Sequence, residues 1–247
     1  MPDVAQRWRL VYRRGPAAAA TAQRAELEAW EVTFAASGLP LLASGGAQPR
    51  PRLAMPPPLP TGLTGDAELL EFQLHDRRPA PVVRAALAEV LPWDHAIVDL
   101  FDVWAGLPPL PALVVAMDYT VDLAAARPLE RLEGAIAALL AAPRLERTRQ
   151  RGDRATTRDL RPFILALAAE TDGSARPDAG VVTKVGEPAD DRVALRMRLA
   201  VHPEQGTARP DDVVAALADG AGMPLSIAGG SRTRVWTRDE PEAVGPV

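Results

Sequence analysis

The sequence predicts an α+β fold built twice over: two tandem βαββαβ units, with antiparallel sheets and helices packed on one face of each. Three observations predict it. Short runs in both halves alternate apolar with polar residues, the pattern of strands buried on one face. Between them lie segments with apolar residues three and four apart, as in amphipathic helices. A proline-rich break, GLPPLP over 106–111, separates two halves that repeat the same order of strands and helices.

The first unit is expected over 1–105. Gln6 to Arg13 reads as its opening strand, with Trp8, Leu10 and Tyr12 inward and Arg7 and Arg9 outward. Ala17 to Ala36 reads as a helix carrying Leu27, Trp30 and Phe34 on one side and Glu26, Glu28 and Glu31 on its surface, stopped by Gly38 and Pro40. Leu39 to Ala43 reads as a short second strand. An arm follows over 44–65, where Gly45 and Gly46 permit positive φ and Pro49, Pro51, Pro56, Pro57, Pro58 and Pro60 withhold backbone donors, which excludes a helix. It leads into a half-buried third strand with Leu70, Phe72 and Leu74 on one side and Glu71 and Gln73 on the other. Pro79 to Leu91 reads as the second helix, through Val82, Val83, Ala86, Leu87 and Val90, and Pro92 ends it. Ala96 to Trp104, interrupted by Asp99 and Asp102, reads as the fourth strand.

The second unit is expected over 112–238, with a tail over 239–247. Leu113 to Leu123 alternates cleanly, and Pro128 at a helix start is followed by the stripe Leu129, Leu132, Ile136, Leu139 and Leu140. Arg144 to Gln150 and Arg161 to Ala169 read as strands around a polar turn at Gly152 and Asp153, and Thr171 to Asp191 as a loop or hairpin. Val193 to Val201 alternates again, Pro210 to Ala218 has a helical face in Val213, Val214 and Leu217, and Leu225 to Trp236 reads as the last strand. Strand, helix, strand, strand, helix, strand is the ferredoxin-like order, here with an added strand or hairpin. A single mixed sheet is the alternative.

Composition excludes several functions. Cysteine is absent, which removes disulfides, thiol nucleophiles and thiolate-held iron–sulfur clusters. The cations are arginines apart from Lys184, and a formal net charge of −4 argues against a surface that is basic all over. No apolar run reaches the roughly 18 residues that cross a bilayer, and no apolar leader follows Pro2 and Asp3, so no membrane contact and a cytoplasmic location are expected. The histidines His75, His95 and His202 have no metal-ligand spacing, and no phosphate-binding loop or serine-nucleophile motif occurs. Neither a catalytic constellation nor a cofactor is predicted. The acid pair Asp211 and Asp212 falls in the first turn of a helix, where it complements the dipole, and Asp190 and Asp191 fall in a loop.

Binding residues are sought among the arginines. Arg147, Arg149 and Arg151, spaced by two, would share a strand face, with Arg154 and Arg161 close behind, and such a row suits phosphate groups. A solvated sheet face paired with carboxylates is the competing explanation. Arg50 and Arg52 on the arm, and Arg232, Arg234 and Arg238 near the end, are further candidates.

Several segments resemble a family of uncharacterised domains found fused to, or encoded beside, radical SAM proteins of the cobalamin-binding type. They are the opening strand, the glycine- and proline-rich arm, the basic segment ERTRQRGDRATTRDLRPFI with its step Asp159, Leu160, Arg161, Pro162, the stretch GTARPDD, and Ser231-Arg232-Thr233. The resemblance implies a non-catalytic accessory or substrate-presenting domain acting with a radical SAM enzyme, with RNA modification as one such setting. The family's Ser-His-Leu-Asp-like step is replaced by Ala17 to Ala20 and Thr21, and its Gly-Phe-Asn-Pro-His-Pro arm by Gly46, Ala47, Gln48, Pro49, Arg50 and Pro51. The side chains best suited to chemistry are missing. A second expectation, from the tandem architecture and the basic hairpin, is a stand-alone RNA-binding module; it resembles CRISPR RNA-processing proteins.

Overall fold

The structure is a computed structural model that describes residues 5–45, 49–124, 128–152, 154–170 and 193–240. It is a mixed α+β protein whose strands pair largely antiparallel, and it divides into two compact units, Met1–Val114 and Val115–Val247. No helix among the described residues is long and apolar enough to cross a membrane. The stretch Thr171 to Asp191, expected to be a loop or hairpin, lies outside the described residues, as do Asp153 and the tail beyond 240.

In the first unit, β1 (Gln6–Arg14) is followed by α1 (Gln23–Ala36), β2 (Leu53–Ala54), β3 (Thr64–Leu74), α2 (Ala80–Ala88), β4 (His95–Val103) and α3 (Leu110–Leu113). The strands lie in the order β4-β1-β3-β2, each neighbouring pair antiparallel. Trp8, Leu10 and Tyr12 of β1 and Leu70, Phe72 and Leu74 of β3 face Trp30 and Phe34 of α1 and Val83 and Leu87 of α2. Each of these large side chains contributes about 1.5–3 kcal/mol by leaving water.

The first helix begins later than its alanines suggest. Residues 16–21 form turns instead, because Asp94 accepts hydrogen bonds from the Ala17 and Ala18 N–H groups and Arg14 donates to the carbonyls of Ala18 and Thr21. Asp94 adopts a positive φ of 57° and presses so close to Gly15 that a Cβ there would sit 2.2 Å from its carboxylate. The second strand also moves. Leu39 to Ala43 makes only the isolated bridges Leu41 to Leu74 and Ala43 to Pro51, whereas Leu53 and Ala54, a gap between prolines, pair with Phe72 and Glu71. The arm therefore supplies the edge strand.

The second unit contains β5 (Val114–Ala124), α4 (Leu129–Ala141), β6 (Glu146–Arg151), β7 (Arg154–Asp159), β8 (Ile164–Glu170), β9 (Val193–His202), β10 (Gly206–Thr207), α5 (Pro210–Ala221) and β11 (Ser226–Thr237). β9 pairs with β5 on one side and with β8 and β10 on the other, and β11 lies beyond β5. Leu132 and Leu139 of α4, Val213 and Leu217 of α5, and Val121, Leu123, Leu195 and Leu199 of the sheet are buried. The expected pairing of Arg144–Gln150 with Arg161–Ala169 is corrected here. β6 turns at Gly152 and pairs with β7, from Glu146 opposite Asp159 to Arg151 opposite Arg154. Pro162 lacks an N–H for a ladder, so Arg161–Phe163 forms a 3-10 turn and β8 starts at Ile164 beside β9.

Candidate functional site

The hairpin that suggested phosphate binding uses its described cations internally. Arg147 and Arg158 stand directly opposite each other across β6 and β7, an unfavourable pairing in itself. Each is drawn off elsewhere. Arg147 pairs with Asp219 of α5, while Arg158 donates to the carbonyls of Gln205 and Thr207 and lies 4.0 Å over the Phe163 ring. Burial lowers the Arg158 pKa, opposed by the charge of Asp212. The side chains of Arg149, Arg151 and Arg154 lie outside the described residues.

The Asp-Leu-Arg-Pro step is a staple at the foot of this hairpin. Asp159 accepts the N–H of Leu145 at 2.8 Å and that of Arg161 at 3.0 Å, and these two backbone bonds hold its carboxyl below the ordinary value. Leu160 is buried, and Arg161 donates to the carbonyls of Ile164 and Leu140 at 2.7 and 2.8 Å. Asp159 and Arg161 thus tie β7 to α4 and β8. Arg232 is 1% exposed, with Nη1 3.1 Å from the Met117 sulfur. On the arm, Arg50 pairs with Glu31 at 3.1 Å, and Arg52 is exposed beside a shallow groove also lined by Arg7, Leu53, Glu71, Gln73 and Leu107.

Two charged clusters in the first unit were not legible as sites. The outward face of β1 is buried: Arg9 donates to Glu71 Oε1 through Nε and Nη2 at 3.0 and 2.9 Å, and Arg7 donates to Glu71 Oε2 through Nε at 2.9 Å. Arg7 also holds the carbonyls of Leu107 and Pro108, both at 2.7 Å. Glu71, expected on an open face, is 2% exposed. The second cluster centres on Glu26, expected at the surface of α1 and found 5% exposed. It accepts the Tyr12 hydroxyl at 2.9 Å and pairs with Arg14 at 3.3 Å, and His95 Nε2 lies 3.8 Å away. Burial pushes the Glu26 carboxyl up, but His95, Arg14 and Tyr12 outweigh it and hold the group below its ordinary value. The alternation of arginine with aromatic residues in β1 was visible in the sequence; their carboxylate partners, far along the chain, were not.

Both clusters are nearly closed to solvent. The Arg7, Arg9 and Glu71 side chains are at most 4% exposed, and those of Glu26 and His95 are each 5% exposed. Among the described residues, no group of three histidine, aspartate or glutamate side chains converges as a metal ion would require.

What the first unit does expose is β4. This strand ends the sheet order and pairs only with β1 among the described residues. Trp93 just before it is 75% exposed, Trp104 just after it 74%, and Val98 and Phe101 within it 50% and 38%. Asp99 and Asp102 are exposed between them.

No curated protein matches the sequence. Among solved structures, the crystal structure of a Cbf5-Nop10-Gar1 complex aligns with a TM-score of 0.47 at 10% identity, over 92% of this chain and 48% of the other. The chain thus spans about half the length of the chain it matches. Residues 7–210 match the family described as "Uncharacterized protein conserved in bacteria (DUF2344)", a span that includes all but the first residue of β1, the arm, the hairpin and β9, and the chain belongs to that family.

Proposed function

We propose that this protein is a non-catalytic accessory or substrate-presenting domain that works by contact with a partner enzyme in the cytoplasm, and that the partner is a radical SAM enzyme, as the resemblance implies. The observation that carries the reading is a contrast in how polar groups are used. The described charge clusters around Glu71 and Glu26 are turned inward onto protein partners, whereas strand β4 of the first unit leaves large apolar side chains and a strand edge exposed, the materials of a protein interface. Two tandem ferredoxin-like units form the scaffold in this reading. The orders β4-β1-β3-β2 and β11-β5-β9-β8, with two helices interposed in each unit, support it.

The test is purification of the tagged full chain from its native host, with its partners identified by mass spectrometry. A radical SAM enzyme recovered in stoichiometric amount is the expected result, and its absence counts against the reading. RNA binding by the hairpin needs free cations, and among its described side chains Arg147 and Arg158, with Arg161 at its foot, are engaged. Titration with a short mixed-sequence RNA and with tRNA, at low and physiological salt, separates the two readings. Steeply salt-dependent binding lost on replacing Arg147, Arg149 and Arg151 with alanine would favour RNA.

A further inference from the structure

We propose that the open edge of β4 is the docking site for an extended, cationic segment of a partner protein, added to the sheet as a further strand. The proposal rests on the accessory-domain reading and names the surface and the chemistry of its occupant. An unpaired edge presents a row of backbone N–H and C=O groups that another strand can bond, and proteins usually blunt such edges. Here the blunting is local. The Asp99 carboxylate accepts the Leu100 N–H at 2.8 Å, a bond that an incoming carbonyl can replace while the carboxylate turns to an incoming cation.

The flanks of the edge are apolar. Trp93 and Trp104 bracket the strand, Val98 and Phe101 lie between them, and the Trp104 ring rests on Gly106, where a Cβ would come within 2.5 Å of it. Aromatic residues at the ends of an exposed strand supply large contact area at low entropic cost. Charge selects the occupant. Asp99 and Asp102 are exposed and three residues apart on a strand, so they project to opposite faces of the sheet. Among the described residues, Arg84 lies 3.7 Å from Asp99 and is itself half exposed, Asp102 receives the neutral amide of Gln6 at 3.0 Å, and Arg9, 6.0 Å from the Phe101 ring, is engaged by Glu71. A second copy of β4 paired antiparallel about Leu100 and Phe101 would set Asp99 against Asp102, like charge against like. Nucleic acid would meet the same carboxylates with its phosphates. A strand with cations three residues apart and β-branched residues between them fits both the charge and the flanks.

The probe is a short acetylated and amidated peptide, Thr-Val-Arg-Val-Thr-Arg-Val-Thr, titrated against the full chain, with amide hydrogen exchange read across β4. The expected result is saturable binding, added protection of β4 amides, and affinity weakened about tenfold or more in the variant carrying Asp99→Lys and Asp102→Lys. A second variant, Trp104→Ala, changes an exposed side chain, leaves the fold intact and also weakens binding. The proposal is overturned by no binding at millimolar peptide, by binding that ignores both variants, by protection elsewhere than β4, or by self-association through β4. These outcomes are independent of the partner's recovery from the native host. A partner that still binds the variants removes the docking site and leaves the accessory function standing.

Discussion

The β6–β7 hairpin and strand β4 differ in what their polar groups are doing. The hairpin is crowded with arginines, yet Arg147 is paired with Asp219, Arg158 with backbone carbonyls and Phe163, and its foot is stapled by Asp159 and Arg161. β4 carries no arginine, and it leaves a backbone edge, two carboxylates and flanking aromatic rings in the open. The difference teaches that charge density in a sequence does not by itself mean free charge, since the described hairpin cations Arg147 and Arg158 are engaged within the fold. A guanidinium has five donors, and where carbonyls or carboxylates lie within reach it serves as internal scaffolding. β1 makes the same point, with Arg7, Arg9 and Arg14 buried against Glu71 and Glu26.

The largest expected effect comes from breaking the inward set. Glu71→Gln leaves Arg7 and Arg9 buried without their shared carboxylate, and should lower stability by roughly 4–5 kcal/mol, read from the urea midpoint. Next is Glu26→Gln, which strands Arg14 and should cost about 3 kcal/mol at neutral pH. Its sign with pH follows from linkage. Because the folded carboxyl is held below its ordinary value of 4.5, its stabilisation is full above that pH and is lost as pH falls through the lower, folded value. The Glu26→Gln variant should therefore lose less stability than the wild type on acidification, in parallel melts. Asp159→Asn should have a smaller effect: a modest fall in melting temperature, with faster proteolytic cleavage in the hairpin as its foot loosens. Smallest is the paired change Trp93→Ala and Trp104→Ala, whose side chains are exposed. Stability should stay within about 0.5 kcal/mol of the wild type, while binding to β4 weakens. A large loss of stability there would erase the contrast between the two regions.

Most strands were legible because their burial is periodic. Val193 to Val201 and Leu113 to Leu123 announce themselves by alternation, and both are strands close to the expected bounds. Helix α4 was visible for the same reason, with its apolar stripe between two prolines. What escaped depended on contacts distant in sequence. Ala17 to Ala20 look helical until Asp94 and Arg14 take up their backbone groups, and nothing in the local pattern reveals that. β2 hides in two residues between prolines, and β7 was read through as turn because its Thr-Thr-Arg run lacks apolar residues. At the level of sites, Arg50, Arg147, Asp159, Arg161 and Arg232 were picked out for their charge, and each has a protein partner that only the fold brings near. Arg52 stands exposed beside the arm's groove, and Arg234 and Arg238 are exposed near the end of the described chain. The edge of β4 was invisible because exposure of a strand is a property of sheet order.

The most direct measurement is a comparison of two full chains purified from the native host, the wild type and the variant carrying Asp99→Lys and Asp102→Lys, with bound partners identified and RNA quantified. The expected result is a radical SAM enzyme with the wild type, its loss from the variant, and no RNA with either. Recovery of RNA bound through the hairpin, with no protein partner, would contradict the claim that this protein works by protein contact.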